Sequence, residues 1–225
     1  MRGRIARGAL GLLELVYPRR AICMGCGTQA GFDREWLCEA CRVELARRWV
    51  GATTQPEDSP FESAAFAYVY GGPAASMVRN LKYHGAWRLS EMMGRHMARA
   101  FEPLQPAQLD CVVPVPMHPR RLRQRGYNHA ALLAEAAARQ LSLPVEEALE
   151  RTRDTAQQAR LGGQERRGNQ LGAFCVTGDA AGRRVLLVDD VCTTGATAGA
   201  CADALLQAGA SAVCLLCFAV AREWK

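Results

Sequence analysis

Apolar residues recur along the chain with two spacings. Val185 to Val188 is an unbroken run of the kind that forms a short strand buried on both faces of a parallel sheet. Helical spacing follows from about Ala198 to Ala208, Gly209 ends it, and Ser211 to Val220 supplies a final apolar strand. Upstream, Glu62 to Tyr70 alternates as a strand and Gly71-Gly72 turns the chain. Pro73 to Tyr83 then carries a helical stripe through Met77, Val78 and Leu81. Trp87 to Phe101 predicts a second helix with Leu89, Met92, Met93 and Met97 turned inward as core. Cys111 to Pro116 reads as a strand entering a loop, Tyr127 onward as an alanine-rich helix, and Leu171 to Thr177 as another strand. Strands alternating with helices predict an α/β fold on a mainly parallel, Rossmann-like sheet.

The ends of this pattern are less regular. Ile5 to Val16 reads as a partly amphipathic helix ended by Pro18, packed on the rest of the protein rather than lying in a membrane. It is too short to span a bilayer, and Glu14 and the lack of a small-residue cleavage site argue against a secretory signal. Gly51 to Pro60 reads as a linker, which divides the chain into units 1–55 and 60–225. Arg151 to Gln170 has no sustained apolar period and reads as a flexible loop or a plain surface excursion.

Composition adds two constraints. The net charge of +6 comes from 26 arginines and two lysines, Lys82 and Lys225. Arginine suits phosphate through its planar fork, although an excess this modest fits a solvated surface as well as nucleic-acid contact. The chain also has ten cysteines, four of them in two Cys-x-x-Cys pairs, Cys23/Cys26 and Cys38/Cys41, eleven residues apart. With no secretory signal, the expected compartment is a reducing cytoplasm, where such pairs bind metal more often than they form disulfides. Two knuckles of this spacing complete a tetrahedral four-thiolate zinc site, closed and therefore structural. Cys41 is expected to begin a helix reaching about Trp49. Cys214 and Cys217 sit three apart in a strand and face opposite sides, so they share no metal. With Cys111, Cys175 and Cys201 they read as small core residues, and Cys192 as structural. His84 and His96 lack a companion at metal-like spacing and read as surface or capping residues.

Candidate chemistry concentrates where the Val185 strand ends. Asp189 and Asp190 follow the apolar run, and ligands of open α/β sheets sit beyond the carboxyl ends of the strands. Thr193, Thr194, Gly195, Ala196 and Thr197 then open the next helix. Unpaired N–H groups and the helix dipole favour a phosphate there, and Gly195 lets backbone approach it. Paired acids beside such a cradle suit a phosphorylated sugar, because they accept hydrogen bonds from vicinal hydroxyls. No Walker loop occurs, since Gly-Lys-Ser/Thr is absent. Between the Cys111 strand and the helix after Tyr127, Arg120, Arg121, Arg123 and Arg125 crowd into a loop closed by Gly126, with Asn128 as the helix cap.

Val185 to Thr197 resembles the phosphoribosyl pyrophosphate (PRPP) motif of type I phosphoribosyltransferases. That resemblance implies that Asp189 and Asp190 hold the ribose hydroxyls and that Thr193, Thr194, Gly195, Ala196 and Thr197 hold the 5′-phosphate. It also implies that Arg120, Arg121 and Arg125 meet the pyrophosphate, and that the Arg151 to Gln170 loop closes over the ligand. Where 6-oxopurine phosphoribosyltransferases carry an acid, this chain has Thr193, which removes support for purine salvage.

Other stretches extend the likeness. With the four cysteines, Leu81-Lys82-Tyr83-His84-Gly85, Val113-Pro114-Val115-Pro116, Arg125-Gly126-Tyr127-Asn128 and Arg166-Arg167-Gly168-Asn169, nearly the whole chain is similar to the ComF family of competence proteins. Membership implies a structural Zn²⁺, Mg²⁺ bound with PRPP, a cytoplasmic location, and a part in single-stranded DNA uptake during natural transformation beside other uptake proteins. The expected activity is phosphoribosyl transfer to an acceptor that the sequence leaves open, with Asp189, Asp190 and Arg125 as catalytic residues. A non-catalytic PRPP-sensing regulator and a single-stranded DNA-binding adaptor are the alternatives.

Overall fold

The structure, a computed structural model, describes residues 22–28, 36–53, 59–104, 108–152 and 172–221. The helix expected at Ile5 to Val16 and nearly all of the Arg151 to Gln170 loop lie outside the described residues.

Five strands form the main sheet in the order β1-β2-β7-β6-β3. They are β1 (Trp49–Thr53), β2 (Ser63–Val69), β3 (Cys111–Pro114), β6 (Arg184–Cys192) and β7 (Ala212–Val220). β2, β7, β6 and β3 pair in parallel, while β1 joins the β2 edge antiparallel, with Trp49 opposite Tyr68. Valine and leucine fill β6 and β7 because those strands are buried on both faces, as inner strands of parallel sheets are. β4 (Leu149–Arg151) and β5 (Phe174–Val176) form a separate antiparallel ribbon, so the strand expected at Leu171 to Thr177 is shorter and stands outside the main sheet.

The sheet divides the interior in two, residue by residue. Leu186, Val188, Cys214, Leu216 and Phe218 face α2 (Gly72–Tyr83), α3 (Leu89–Phe101) and α5 (His129–Leu141). Val185, Leu187, Val213, Leu215 and Cys217 face α6 (Ala196–Gln207) and the ribbon. The period-two alternation of a strand produces this split. It sends Cys214 and Cys217 into separate interiors, as their spacing requires. Met92, Met93 and Met97 are buried on α3 as expected. Gly94 lets α3 and α5 nearly touch: a Cβ there would meet Ala136 Cβ at 2.4 Å.

Several expectations are corrected. The helix in the cysteine region, α1 (Glu39–Ala46), ends before Trp49, because Arg48 O accepts from Val69 N and draws the chain into the sheet edge. Gly51–Thr53 therefore belong to β1 rather than to a linker. Arg120, Arg121, Arg123 and Arg125 lie not in a loop but on a short helix, α4 (Pro119–Arg125). Pro119 starts it, His118 accepts from Arg120 N, and left-handed Gly126 ends it at φ 79°. His96 is neither a surface nor a capping group, since its Nδ1 lies 2.6 Å from Tyr68 Oη. Cys175 is exposed on the ribbon rather than in the core.

Candidate functional site

At the amino-terminal end, backbone turns gather the four cysteines. Gly27 N donates to Cys23 O at 2.8 Å, and Gly27 adopts φ 76°, which closes the first knuckle. Cys23 Sγ accepts from Cys38 N at 3.3 Å, joining the two pairs. Asn80 Nδ2 donates to Met24 O at 2.9 Å and fixes the knuckle to α2. All four Sγ atoms lie within 4.8 Å of one another, with Cys26 and Cys38 at 3.8 Å. Metal–sulfur bonds of about 2.3 Å set a tetrahedron's edge at about 3.8 Å, so the thiols fit a four-coordinate thiophilic cation. Cys23, Cys38, Cys41 and Leu45 share an interior with α2.

The carboxyl-terminal half of β6, an inner strand, carries the acids. β6 is longer than its apolar run predicts. It continues to Cys192, so Asp189 and Asp190 lie within the strand, not beyond it. Being successive strand residues, they turn to opposite faces. Asp189 joins the lining of a cavity of about 180 Å³ whose other walls include Thr193, Thr194, Gly195, Ala196 and Thr197. Gly195 takes φ 74° at the head of α6, where no side chain caps the helix. Ala196 N donates to Thr194 Oγ1 at 3.4 Å, and the N–H groups that follow it in the first turn of α6 are available to an anion. Burial, and then the charge of Asp190, raises the Asp189 pKa to about 7.

Asp190 turns the other way and is 3% exposed. Its Oδ2 lies 2.5 Å from Lys82 Nζ on the last turn of α2, and 3.3 Å from His129 Nε2 at the start of α5. The same oxygen has no well-directed hydrogen bond, so attraction between charges holds the contact with Lys82. Burial lowers the His129 pKa to about 4, outweighing the nearby carboxylate, and leaves the imidazole neutral near pH 7. Arg125 Nη1 lies 3.4 Å from His129 Nδ1. Because a guanidinium can only donate, Nδ1 is the acceptor and the single ring proton sits on Nε2, facing Asp190.

The predicted site residues thus fall into two groups. Asp189 and the Thr193–Thr197 loop surround one cavity, while Asp190 and Arg125 meet on the opposite face through His129. Arg121 is near enough to lower the His129 pKa further, and Arg120 stands exposed on α4. Asn128 caps α5 as expected, its Oδ1 accepting from Ala130 N at 3.1 Å. Cys192 packs into the interior beneath the loop.

A hard cation takes oxygen ligands. His129, Asp189 and Asp190 offer ligand atoms within 4.8 Å of one another, but the lysine already sits against Asp190 Oδ2. Asp189 is therefore the carboxylate that fits magnesium best.

A model described as the phosphoribosyl transferase domain matches residues 128–223, which include α5, the acids and the loop. The DNA utilization protein YhgH of Escherichia coli is 31% identical over 214 residues, 91% of this chain and 92% of that one. The chain belongs to the ComF family. Its relatives include competence protein F of Haemophilus influenzae, 28% identical over 82% of this chain and 83% of that protein. Competence protein ComFC of Streptococcus pneumoniae is 25% identical over 90% and 89%. Among solved structures, a purine phosphoribosyltransferase from Pyrococcus horikoshii aligns with 60% of this chain and 74% of that one, at 17% identity and a TM-score of 0.37. This ComF-family chain thus combines a phosphoribosyltransferase domain with a cluster of four cysteines. No helix among the described residues is long and apolar enough to cross a membrane.

Sequence reasoning missed Lys82 and His129 as members of the site. Composition held one signal: a single internal lysine among 26 arginines. Topology held the other, since the parallel pairing of β3 with β6 sets the start of α5 beside the acids.

Proposed function

We propose that this protein binds Mg²⁺-PRPP and transfers its phosphoribosyl group to an acceptor, in support of the handling of incoming single-stranded DNA in the cytoplasm. The observation that carries the reading is Asp189 opening onto the cavity built by Thr193–Thr197 at the uncapped head of α6. That cavity offers a carboxylate to sugar hydroxyls and backbone N–H groups to a phosphate. Residues 60–225 would form the transferase unit, and residues 1–55 a module held by structural Zn²⁺ on Cys23, Cys26, Cys38 and Cys41. The names of the relatives, DNA utilization protein and competence protein, support the DNA assignment.

In this reading Thr193, Thr194, Gly195, Ala196 and Thr197 hold the 5′-phosphate. Asp189 and the free oxygen of Asp190 accept from the ribose hydroxyls. Arg120, Arg121 and Arg125 lie on the side of the leaving group. The C1–O bond to pyrophosphate breaks with its electron pair leaving on pyrophosphate, a lone pair of the acceptor forms the new bond, and the acceptor's proton passes to water. Asp189 and Asp190 offset positive charge developing on the sugar, and the arginines offset the charge of the departing anion. Magnesium, bound mainly through substrate oxygens and water with Asp189 as a protein ligand, would supply further neutralisation of the pyrophosphate.

Calorimetry tests the reading. Wild-type protein should bind Mg²⁺-PRPP, and the Asp189→Asn/Asp190→Asn double variant should lose that binding. Equal binding by both proteins would remove the role of the acids. Pyrophosphate release on adding candidate acceptors separates a transferase from a protein that only senses PRPP.

A further inference from the structure

Lys82 is not placed there by chance packing of one side chain. Three successive residues at the end of α2 are each tied to the segment that carries the arginines. Leu81 O accepts from Tyr127 Oη. Lys82 meets Asp190, which His129 also contacts. Tyr83 Oη accepts from Arg125 Nη2 at 3.2 Å, and the Arg125 guanidinium lies 4.9 Å over the Tyr83 ring. The end of α2 is thereby fastened to the junction of α4 and α5, and the lysine stands between the arginine helix and the acid pair.

The chemistry of that position is specific. Every cationic residue of the described chain other than Lys82 is an arginine or a histidine. A lysine ammonium is a compact point charge on a flexible stem, able to turn from one anion to another. Lys82 keeps 22% of its side chain exposed while Asp190 keeps 4%, so the ammonium is the part of the pair a ligand can reach. The buried carboxylate oxygen beneath it has no well-directed hydrogen bond, so the resting contact can rearrange when an anion arrives. Tetherings on either side fix where the ammonium can turn: toward the face shared with Arg125.

We propose that Lys82 is a ligand-contacting residue that takes the pyrophosphate group of PRPP, and that Asp190 and His129 are the positioning residues that aim it. The proposal rests on the PRPP reading and divides the two acids. Asp189 is left to the sugar and the magnesium, whereas Asp190 uses Oδ2 to hold Lys82 and has only its other oxygen left for the ribose. The ammonium then acts as a built-in cation beside the leaving group.

The experiment compares three ligands on the full chain in the presence of Mg²⁺: PRPP, inorganic pyrophosphate and ribose 5-phosphate. Lys82→Met strands the Asp190 charge and could unfold the site, so the decisive protein is Lys82→Met/Asp190→Asn, in which both charges are removed together. Measured against Asp190→Asn alone, so that any ribose contact of Asp190 is missing from both proteins, it should bind PRPP and pyrophosphate about tenfold or more weakly, the loss of one charge-assisted contact, while ribose 5-phosphate changes by no more than about twofold. Asp189→Asn should show the reverse pattern, with ribose 5-phosphate weakened and pyrophosphate retained. Pyrophosphate binding by the double variant equal to wild type would overturn the assignment of Lys82 and leave the PRPP reading intact. A wild-type protein that binds none of the three ligands would overturn both.

Discussion

Two sites tied to the same helix, α2, gather like-charged or potentially like-charged groups in opposite ways. At the cysteine end, four sulfur atoms converge within 4.8 Å of one another, and the groups that meet them are backbone N–H groups and Thr28. At the acid end, two neighbouring carboxylates each bring an oxygen within 4.8 Å of the other and of a His129 nitrogen, and one of them is matched by the protein's own lysine. The first cluster requires a cation from outside to be stable when deprotonated, whereas the second carries its cation in the fold. A set of thiols spaced for a metal and an ion pair built into the fold therefore coexist in one interior, since Cys41 and Leu81 belong to the same packed cluster.

Breaking the cysteine end should have the largest effect. Cys41→Ser, or a strong chelator, removes a ligand set whose metal contributes on the order of 10 kcal/mol in small zinc domains. Zinc content should fall from one equivalent to near none, and thermal melting should drop by well over about 10 °C as α1 detaches from α2. An unchanged melt after complete metal removal would show that packing alone holds this end.

At the acid end the single variant Lys82→Met leaves Asp190 buried without its counter-charge and should cost about 3 kcal/mol in urea unfolding. The Lys82→Met/Asp190→Asn double variant should regain most of that loss. If the single and double variants were equally stable, the ion pair would not be what holds this end together. Gly25→Ala sharpens the contrast from the other side. Its Cβ would meet Cys41 Sγ at 2.7 Å and Cys41 Cβ at 2.9 Å, so the thiols must spread. A destabilisation of about 2 kcal/mol, with weaker zinc retention in a competition assay with a chromophoric chelator, is expected.

The smallest effect is in the pH dependence of the ligand-free acid end. The Asp189 pKa rises on folding to about 7, so its contribution to stability is greatest below its ordinary value of 3.8 and is lost as pH rises through 7. The His129 pKa falls on folding to about 4, so its contribution is full above 6.5 and is lost as pH drops through 4. Between about pH 4 and 6.5 the two slopes oppose each other. Wild-type contributions from this pair should nearly cancel there. Relative to wild type, Asp189→Asn should gain stability as pH rises and His129→Gln should gain stability as pH falls, each by about 1 kcal/mol per pH unit across the window. Parallel profiles for the three proteins would deny the opposition.

Much of this was legible in the chain itself. The buried runs of β6 and β7 announced a parallel sheet, two Cys-x-x-Cys pairs announced the cluster, and the acids with Thr193–Thr197 announced the cavity. What escaped notice depends on contacts far apart in sequence. Trp49 leaves the helical pattern because a backbone bond from Val69 captures Arg48. The basic stretch before Gly126 reads as a loop because a helix of seven residues has no room for an apolar stripe, and its start is set by Pro119 and His118. Lys82 and His129 come from two helices more than forty residues apart, so no local pattern joins them to Asp190. Even the unequal roles of adjacent acids follow from strand alternation only once β6 is known to run through them.

Cys214 and Cys217 show what the sheet does to the molecule as a whole. Three residues apart in one strand, they line two rooms with a wall of backbone between them. Damage on one side, such as a misfitted side chain among the methionines of α3, has to cross a hydrogen-bonded partition before it reaches α6 and the Thr193–Thr197 cavity at its head. The helices that carry Lys82 and His129 share the first room with Cys23, Cys38 and Cys41, so a change there is felt at Asp190 before it is felt at the Thr193–Thr197 cavity.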